Sequence, residues 1–292
     1  MGDFYEAFDN DAETISKELE IVLTARSMGK SLKIPMAGVP AHALESYLAR
    51  LIKKGHKVAI CEQLSDPAKS KGLVERDVVR VVTPGTVLES TLLNNSANNY
   101  LAAVVEEGGL AGLAYVDIST GEFATTQILR SQLPMELSRI APAEVIMAWL
   151  NDQPMTELEP FAWHSRGEFP ITEVDRDYFD ISRCTESLLS QYKILSLESF
   201  GFSNLPLSIR SAGAIIEYLA STTKGQRIQL SPPRAYSTGS YMALDSQTRR
   251  NLELFQAGRS DSYQLSLLAT MDLTRTPMGS RLLRRWLGQP SL

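Results

Sequence analysis

Phe4 and Glu6 stand two positions apart near the start of the chain, on either side of Tyr5. Successive side chains of an extended strand alternate between its faces, so Phe4 and Glu6 would project together and Tyr5 would point the opposite way. One face would carry an aromatic wedge beside a carboxylate, while Tyr5 and Phe8 could anchor the strand in a core. A wedge beside an acceptor can pry apart a base step of a nucleic acid and hydrogen-bond the exposed base edge. The alternative interpretation is an ordinary buried phenylalanine beside a solvated carboxylate.

A second motif, Met-Gly-Lys-Ser at 28–31, ends like a phosphate-binding P-loop. The P-loop pattern requires a glycine where Thr24 stands, and it leads into a helix whose N-terminus receives the phosphate. Here the motif leads into a polar segment and Pro35 instead. We therefore expect no nucleotide binding at this motif.

Charge is divided unevenly along the chain, whose formal net charge is −5. Residues 26–80 and 224–292 each carry six more basic than acidic residues, whereas acidic residues exceed basic ones by six in 1–25 and by ten in 91–223. Phosphate contacts should therefore favour the two basic segments and avoid the acidic middle. The alternative is that these charges only solvate the surface.

Composition is that of a folded protein, with 43% hydrophobic and 22% charged residues over a length sufficient for two domains and part of a third. No apolar run approaches the ~20 residues that cross a bilayer, and the acidic start lacks the features of a signal peptide. Cys61 and Cys184 are far apart and the histidines are scattered, so we expect neither a disulfide nor a metal site. These features predict a cytoplasmic protein without a membrane segment.

Periodicity and turn residues predict a mixed α/β first part, a strand-rich second part and a helical end. In the first part, Asn10 and Glu13 form a capping box that opens a helix, and the polar segment 25–33 is predicted to be a loop. Strands are also predicted there at 21–24, 57–64 and 77–83, with a helix at 44–52. Beyond a polar connection at 94–99, the sequence predicts a three-stranded meander at 100–106, 110–118 and 122–129, a helix at 136–140, a parallel strand at 143–149, a helix at 209–218, a linker at 224–240 and helices after 252.

Several short motifs occur along the chain in a recognisable order and spacing. They are Gly-Asp-Phe-Tyr-Glu at 2–6, Ile-Pro-Met-Ala-Gly-Val-Pro at 34–40, Ala-Ile-Cys-Glu-Gln at 59–63, Val-Glu-Arg at 74–76, Val-Val-Thr-Pro-Gly-Thr at 81–86, Thr-Arg-Arg-Asn-Leu-Glu at 248–253 and Thr-Pro-Met-Gly-Ser-Arg at 276–281. With these motifs the chain closely resembles the amino-terminal part of the MutS family of DNA mismatch-repair proteins. The resemblance covers essentially the whole sequence, and its early motifs are the most specific.

The resemblance implies an α/β fold class with three parts. These are a mixed-sheet mismatch-recognition DNA-binding domain at 1–92, an RNase H-like α/β connector domain at 98–223 and the beginning of an all-α core and lever domain at 235–292. The resemblance also implies that this chain is a fragment of a longer protein and that residues preceding Met1 are missing. The ATPase domain, with its ATP and Mg²⁺, would lie beyond residue 292. Within this chain we expect no catalytic residue, no cofactor and no metal.

The resemblance also assigns roles to individual residues. Phe4 would stack on a mismatched or unpaired base from the minor groove, and Glu6 would accept a hydrogen bond from that base. Met36 would lie in a proline-bracketed loop near the wedge, with core filling as its alternative role. The candidate phosphate contacts are the basic residues Arg26, Lys30, Lys33, Lys69, Lys71, Arg76 and Arg80.

The expected function is recognition of mismatched or unpaired bases in duplex DNA, which initiates DNA mismatch repair in the bacterial cytoplasm, at the nucleoid. Expected partners are double-stranded DNA with mismatches or small loops, a second subunit when the protein is full length, and a downstream MutL-like repair protein. A different hypothesis is that the second domain is a connector that only binds proteins, with its acidic residues engaging repair partners.

Asp117 supports an alternative function, a Mg²⁺-dependent RNase H-like nuclease in the second domain. Such a nuclease places an aspartate on an early strand, and metal-assisted hydrolysis needs several converging carboxylates. Glu144, Asp175 and Asp177 follow along the chain, but the sequence does not fix their geometry. An aspartate beside a turn is more often structural, so we predict a structural role for Asp117.

Overall fold

The computed structural model describes residues 4–28, 32–64, 75–89, 91–148, 169–202, 204–225, 228–258 and 262–292. The chain forms two compact units, Met1–Leu93 and Asn94–Leu292. The motifs that could contact a base lie in the first unit.

Over its described residues, the first unit contains five strands and two α-helices. In chain order they are β1 (Phe4–Phe8), α1 (Asp9–Leu19), β2 (Thr24–Met28), β3 (Leu32–Pro40), α2 (Leu44–Lys53), β4 (Val58–Gln63) and β5 (Arg76–Val82). Strand β3 lies between β1 and β2 in an antiparallel three-stranded sheet, and β4 and β5 form an antiparallel pair with an irregularity after Ile60.

One face of the three-stranded sheet packs against the helices. Val39 from β3 is buried with Leu19 of α1 and Leu51 of α2, and Tyr5 of β1 packs on this cluster. The apolar stripe of α2 also covers the β4–β5 pair, where it contacts Val82. The predicted helix at 44–52 and the predicted strands at 57–64 and 77–83 are confirmed within one or two residues.

Three secondary-structure predictions for the first unit are wrong. The strand expected at 21–24 does not form, because Thr24 is the only residue of that segment in a strand, where it begins β2. The segment 25–33, expected to be a loop, supplies β2 and the start of β3. Residues 24–27 are all exposed, so this edge strand lacks the alternation of buried and exposed residues that identifies a strand. The predicted capping box is absent as well, because α1 begins at Asp9 and no side chain caps it. Asp9 and Asp11 instead place negative charge in the first turn, where the helix dipole favours it.

The second unit is built on a larger sheet. Its elements are β6 (Tyr100–Glu107), β7 (Leu110–Asp117), β8 (Glu122–Leu129), α3 (Leu133–Ile140), β9 (Glu144–Ala148), β10 (Ile171–Val174), α4 (Ile181–Tyr192), α5 (Pro206–Thr222), β11 (Arg234–Ala235), α6 (Ser246–Asn251), α7 (Leu267–Met271) and α8 (Pro277–Gly288). The strand order is β10-β9-β6-β7-β8-β11, in which β6 to β8 form the predicted antiparallel meander and β9 and β10 continue parallel to β6. The predicted fold class is therefore confirmed.

Helices cover both faces of this sheet. Ile215 on α5 and Leu188 on α4 pack with Leu101 on one face, and Leu137 on α3 packs with Leu113 on the other. The meander strands are buried on both faces, which explains their nearly continuous apolar sequence.

The prediction that residues 224–240 form a linker is wrong in part. Arg234 and Ala235 form a short edge strand parallel to β8, and the Tyr236 amide continues it by donating to the Thr125 carbonyl. Two residues are too few to produce a periodic signal. The predicted helical end is confirmed, since its described residues form α6, α7 and α8. Several of its apolar side chains, including Trp286, are exposed. Within the described ranges, no helix combines the length and apolar character that crossing a bilayer demands.

The packing of α5 on β7 leads to a stability prediction. A Cβ added at Gly112 would lie 2.7 Å from the Leu207 Cβ and closer still to the Leu207 backbone. We expect Gly112→Ala to lower the free energy of unfolding by about 1–3 kcal/mol or more, because helix and strand must separate. Urea denaturation measures the change. The control is Gly239→Ala, whose new Cβ would meet only the Ser237 Oγ at 3.6 Å, and an equal loss there would contradict the packing argument.

Buried tyrosines in the second unit predict sensitivity to alkali. Burial raises the pKa of Tyr100, Tyr115 and Tyr236 above the ordinary value of 10.0, aided by nearby glutamates. Above that value the unfolded chain releases phenolic protons that the folded chain keeps, so the free energy of unfolding should fall as pH rises beyond about 10. Urea midpoints between about pH 8 and 11 measure this, and Tyr236→Phe should flatten the fall. A profile of equal slope in both proteins would contradict the prediction.

Candidate nucleic-acid interface

Strand β1 places Phe4, Glu6 and Phe8 on one exposed face of the first unit. Exposure alternates along the strand, and Phe4 keeps 60% of its surface accessible. The expectation that Phe8 anchors the strand in a core is wrong, since Phe8 is 39% exposed on the same face. The period of two that pairs Phe4 with Glu6 also applies to Phe8, so the signal was present in the sequence.

Strand β3 completes this face between β1 and β2. Gly38 lies directly opposite Glu6 and Met36 opposite Phe8 in the antiparallel register. A Cβ at Gly38 would lie 3.6 Å from the Phe4 Cδ1 and 3.9 Å from the Glu6 Cγ. Glycine therefore leaves open the space between the aromatic ring and the carboxylate. Met36 is half-buried at the Phe8 end of the face, on a strand and not in the loop that was expected.

Tyr5 fastens β1 from behind. Its hydroxyl donates a hydrogen bond to the Glu62 carboxylate on β4, and its ring packs on the core that contains Val39. The hydrogen bond to Glu62, together with partial burial, raises the pKa of Tyr5. Glu62 is half-buried on the same side of β4 as Val58 and Ile60. The side chains at positions 4 and 6 thus project from an anchored strand.

Arg26 reaches across β3 to the carboxylate. Its Nη1 lies 3.1 Å from the Glu6 Oε2, and its Cζ stands 5.9 Å from the centroid of the Phe8 ring. Both side chains of the ion pair remain well exposed, at 53% for Arg26 and 38% for Glu6. The face therefore combines a free aromatic ring, a carboxylate and a guanidinium.

The other basic candidates are distributed differently. Arg80 is held within its own unit by Glu89 at 2.6 Å and by the Thr86 carbonyl, which gives it a structural role. Lys33 is exposed, but by strand alternation its side chain lies on the other face of the sheet from Met36. Arg76 is exposed at the start of β5. Three candidates lie outside the described residues: Lys30, Lys69 and Lys71.

The structure thus brings together four of the predicted site residues: Phe4, Glu6, Arg26 and Met36. It adds two that sequence reasoning missed, Phe8 and Gly38. The place of Gly38 opposite Glu6 depends on the pairing of β1 with β3, and no local pattern in the sequence specifies that register.

Asp117 in the second unit has the structural role that was predicted. Its carboxylate accepts hydrogen bonds from the Asn98 side chain at 2.7 Å, the Ser119 hydroxyl at 2.7 Å and the Ser119 amide at 2.9 Å. Glu144 is buried and accepts from the hydroxyls of Thr172 and Tyr218. Among the described residues, no group of three or more His, Cys, Asp or Glu side chains could hold a metal ion. The nuclease alternative is therefore not supported.

Family models account for most of the chain. The model of MutS domain I matches residues 1–91, that of MutS domain II matches 99–234 and that of MutS domain III matches 247–292. Similar proteins include the DNA mismatch repair protein MutS of Dehalococcoides mccartyi strain CBDB1, 46% identical over all of this chain and 33% of the relative. The MutS protein of Syntrophomonas wolfei is 45% identical over 99% of this chain and 34% of the relative. The MutS protein of Methanosarcina barkeri is 42% identical over 100% of this chain and 34% of the relative. The chain spans about a third of the length of these curated relatives.

The bond between Tyr5 and Glu62 yields a prediction about the anchoring of β1. Tyr5→Phe keeps the ring but removes the donor, and we expect the free energy of unfolding to fall by about 1 kcal/mol. Hydrogen exchange of the β1 amides should accelerate at the same time, because the strand loses its tie to β4. Tyr47→Phe is the control, as Tyr47 packs on the same cluster. Unchanged β1 exchange in Tyr5→Phe would contradict the anchoring.

Proposed function

The chain belongs to the MutS family, and from this premise we propose that its first unit recognises mismatched or unpaired bases in duplex DNA. Phe4 would enter a base step from the minor groove and stack on the defective base. Glu6 would accept a hydrogen bond from that base. The observation that carries the proposal is the joint exposure of an aromatic ring and a carboxylate on one anchored strand.

The energetics of the wedge favour a damaged step over an intact one. Unstacking a base step costs a few kcal/mol, and least where the pair is mismatched or already weakened. Stacking on an aromatic side chain returns roughly 1–3 kcal/mol per base. Insertion of Phe4 therefore costs free energy in a matched duplex and comes near balance in a mismatched one. The readout depends mainly on how easily the duplex deforms.

Glu6 adds a second criterion. A carboxylate among phosphates is unfavourable unless a donor compensates for its desolvation. A base displaced from its pair offers such a donor, whereas a paired base has already used its own. With glycine at position 38, no Cβ at that position of β3 contacts the Phe4 ring or the Glu6 side chain, which would ease the approach of a base edge to the carboxylate.

The remaining contacts and partners follow from the family premise. We propose phosphate contacts by Lys33 and Arg76, and by the basic residues outside the described ranges, Lys30, Lys69 and Lys71. We also propose that the whole protein acts in DNA mismatch repair as an ATP- and Mg²⁺-dependent homodimer that engages a MutL-like partner. This chain alone would bind DNA weakly and would not hydrolyse ATP.

Fluorescence anisotropy with a mismatched and a matched duplex of otherwise identical sequence tests the proposal. Phe4→Ala should weaken binding to the mismatched duplex by about tenfold while leaving matched binding nearly unchanged, because only the defective step admits the ring. Low salt keeps the affinities measurable.

The matched control is Trp286→Ala, which removes an aromatic side chain of similar exposure, 63%, from the second unit. It should leave the preference for the mismatch intact. If Phe4→Ala keeps the full preference, the assignment of Phe4 as the wedge is wrong.

A further inference from the structure

Arg26 pairs with Glu6 across the sheet, an arrangement that a phosphate contact alone does not require. It lies on β2, opposite Ile34 of β3, whereas Glu6 lies on β1, opposite Gly38. The guanidinium therefore crosses the middle strand to reach the carboxylate. The missing side chain at Gly38 leaves room beside the carboxylate, and the ring of Phe8 stands under the guanidinium at 5.9 Å.

The ion pair uses one side of the carboxylate. Among the described residues, Arg26 is the cation paired with Glu6, and its Nη1 donates to Oε2 at 3.1 Å. The cation–π contact with Phe8 restrains the guanidinium from a second direction. No described residue donates to Oε1, which can therefore accept a hydrogen bond from another donor on the exposed face.

We propose that Arg26 is a positioning residue that sets the mismatch specificity of Glu6. It would hold Oε2, neutralise the carboxylate against the phosphates of any duplex and orient Oε1 toward the base edge. This inference rests on the proposed function, since it assumes that Glu6 reads a base. It replaces the direct phosphate contact that the sequence suggests for Arg26.

The two roles of Arg26 have different physical consequences. A phosphate contact contributes equally to every duplex and is independent of Glu6. A positioning residue lowers the repulsion that every duplex meets at Glu6, and it adds specificity because the hydrogen bond to Oε1 forms only where a base edge is free. The contribution of such an Arg26 should vanish once the carboxylate is removed.

A double-mutant cycle separates these roles. The proteins are the unmodified chain, Arg26→Ala, Glu6→Gln and the double variant, each titrated with mismatched and matched duplexes at several salt concentrations. Exposed ion pairs contribute little to folding, so thermal melts should show all four proteins equally folded. We expect Arg26→Ala to weaken mismatch binding by about tenfold with Glu6 present and by less than about twofold with Gln at that position.

Arg76→Ala is the matched control, because it removes an exposed arginine of the same unit that is not paired with Glu6. It should weaken both duplexes alike, in both backgrounds, and lower the slope of log Kd against log salt by about one. Arg26→Lys should retain part of the mismatch preference, since lysine keeps the charge but loses the planar guanidinium.

Equal losses from Arg26→Ala in both backgrounds, with the lower salt slope of a phosphate contact, would overturn the inference and leave the wedge standing. No loss at all would overturn it too. If Phe4→Ala and Glu6→Gln both leave the mismatch preference unchanged, the proposed function itself fails, and the role of Arg26 fails with it.

Discussion

The antiparallel pairing of β1 with β3 is the constraint on which the candidate interface depends. Tyr5 packs toward Val39 and the helices, so strand alternation obliges Phe4 and Glu6 to face outward. A slip of one residue would bury both and expose Tyr5. The hydrogen bond from Tyr5 to Glu62 opposes that slip. Exposure of the Phe4 ring is thus a consequence of the core behind it.

Much of this arrangement could be predicted from the sequence, because it depends on local sequence patterns. The shared face of Phe4 and Glu6 follows from a spacing of two residues, and the apolar stripe of α2 follows from spacings of three and four. The meander of the second unit follows from apolar runs that are bounded by turn residues. Elements with little burial could not be predicted. Strand β2 is solvated on both faces, and β11 has two residues, so neither presents a pattern.

The basic residues show a second limit of sequence reasoning. Arg26 and Arg80 are both arginines of the same basic segment, yet Arg26 pairs with Glu6 across the sheet and Arg80 pairs with Glu89 in the segment that follows β5. Charge counting identifies the segment that can approach phosphate, but it cannot identify which guanidinium is already committed. The Arg80 side chain is largely buried beside Glu89, whereas the Arg26 side chain is 53% exposed beside Glu6. That difference in burial leaves Arg26 the freedom to act on a ligand.

The carboxylates divide in the same way. Asp117, Glu136 and Glu144 are buried, and each accepts hydrogen bonds from more than one donor of its own unit. Such groups stabilise the fold and have little capacity left for a ligand. Glu6 is exposed, bound by one guanidinium and placed beside an exposed ring. The sequence cannot separate these acids by residue type. The number of donors around each one separates Glu6 from the three buried acids, and this difference is what supports the proposed role of Glu6 in binding.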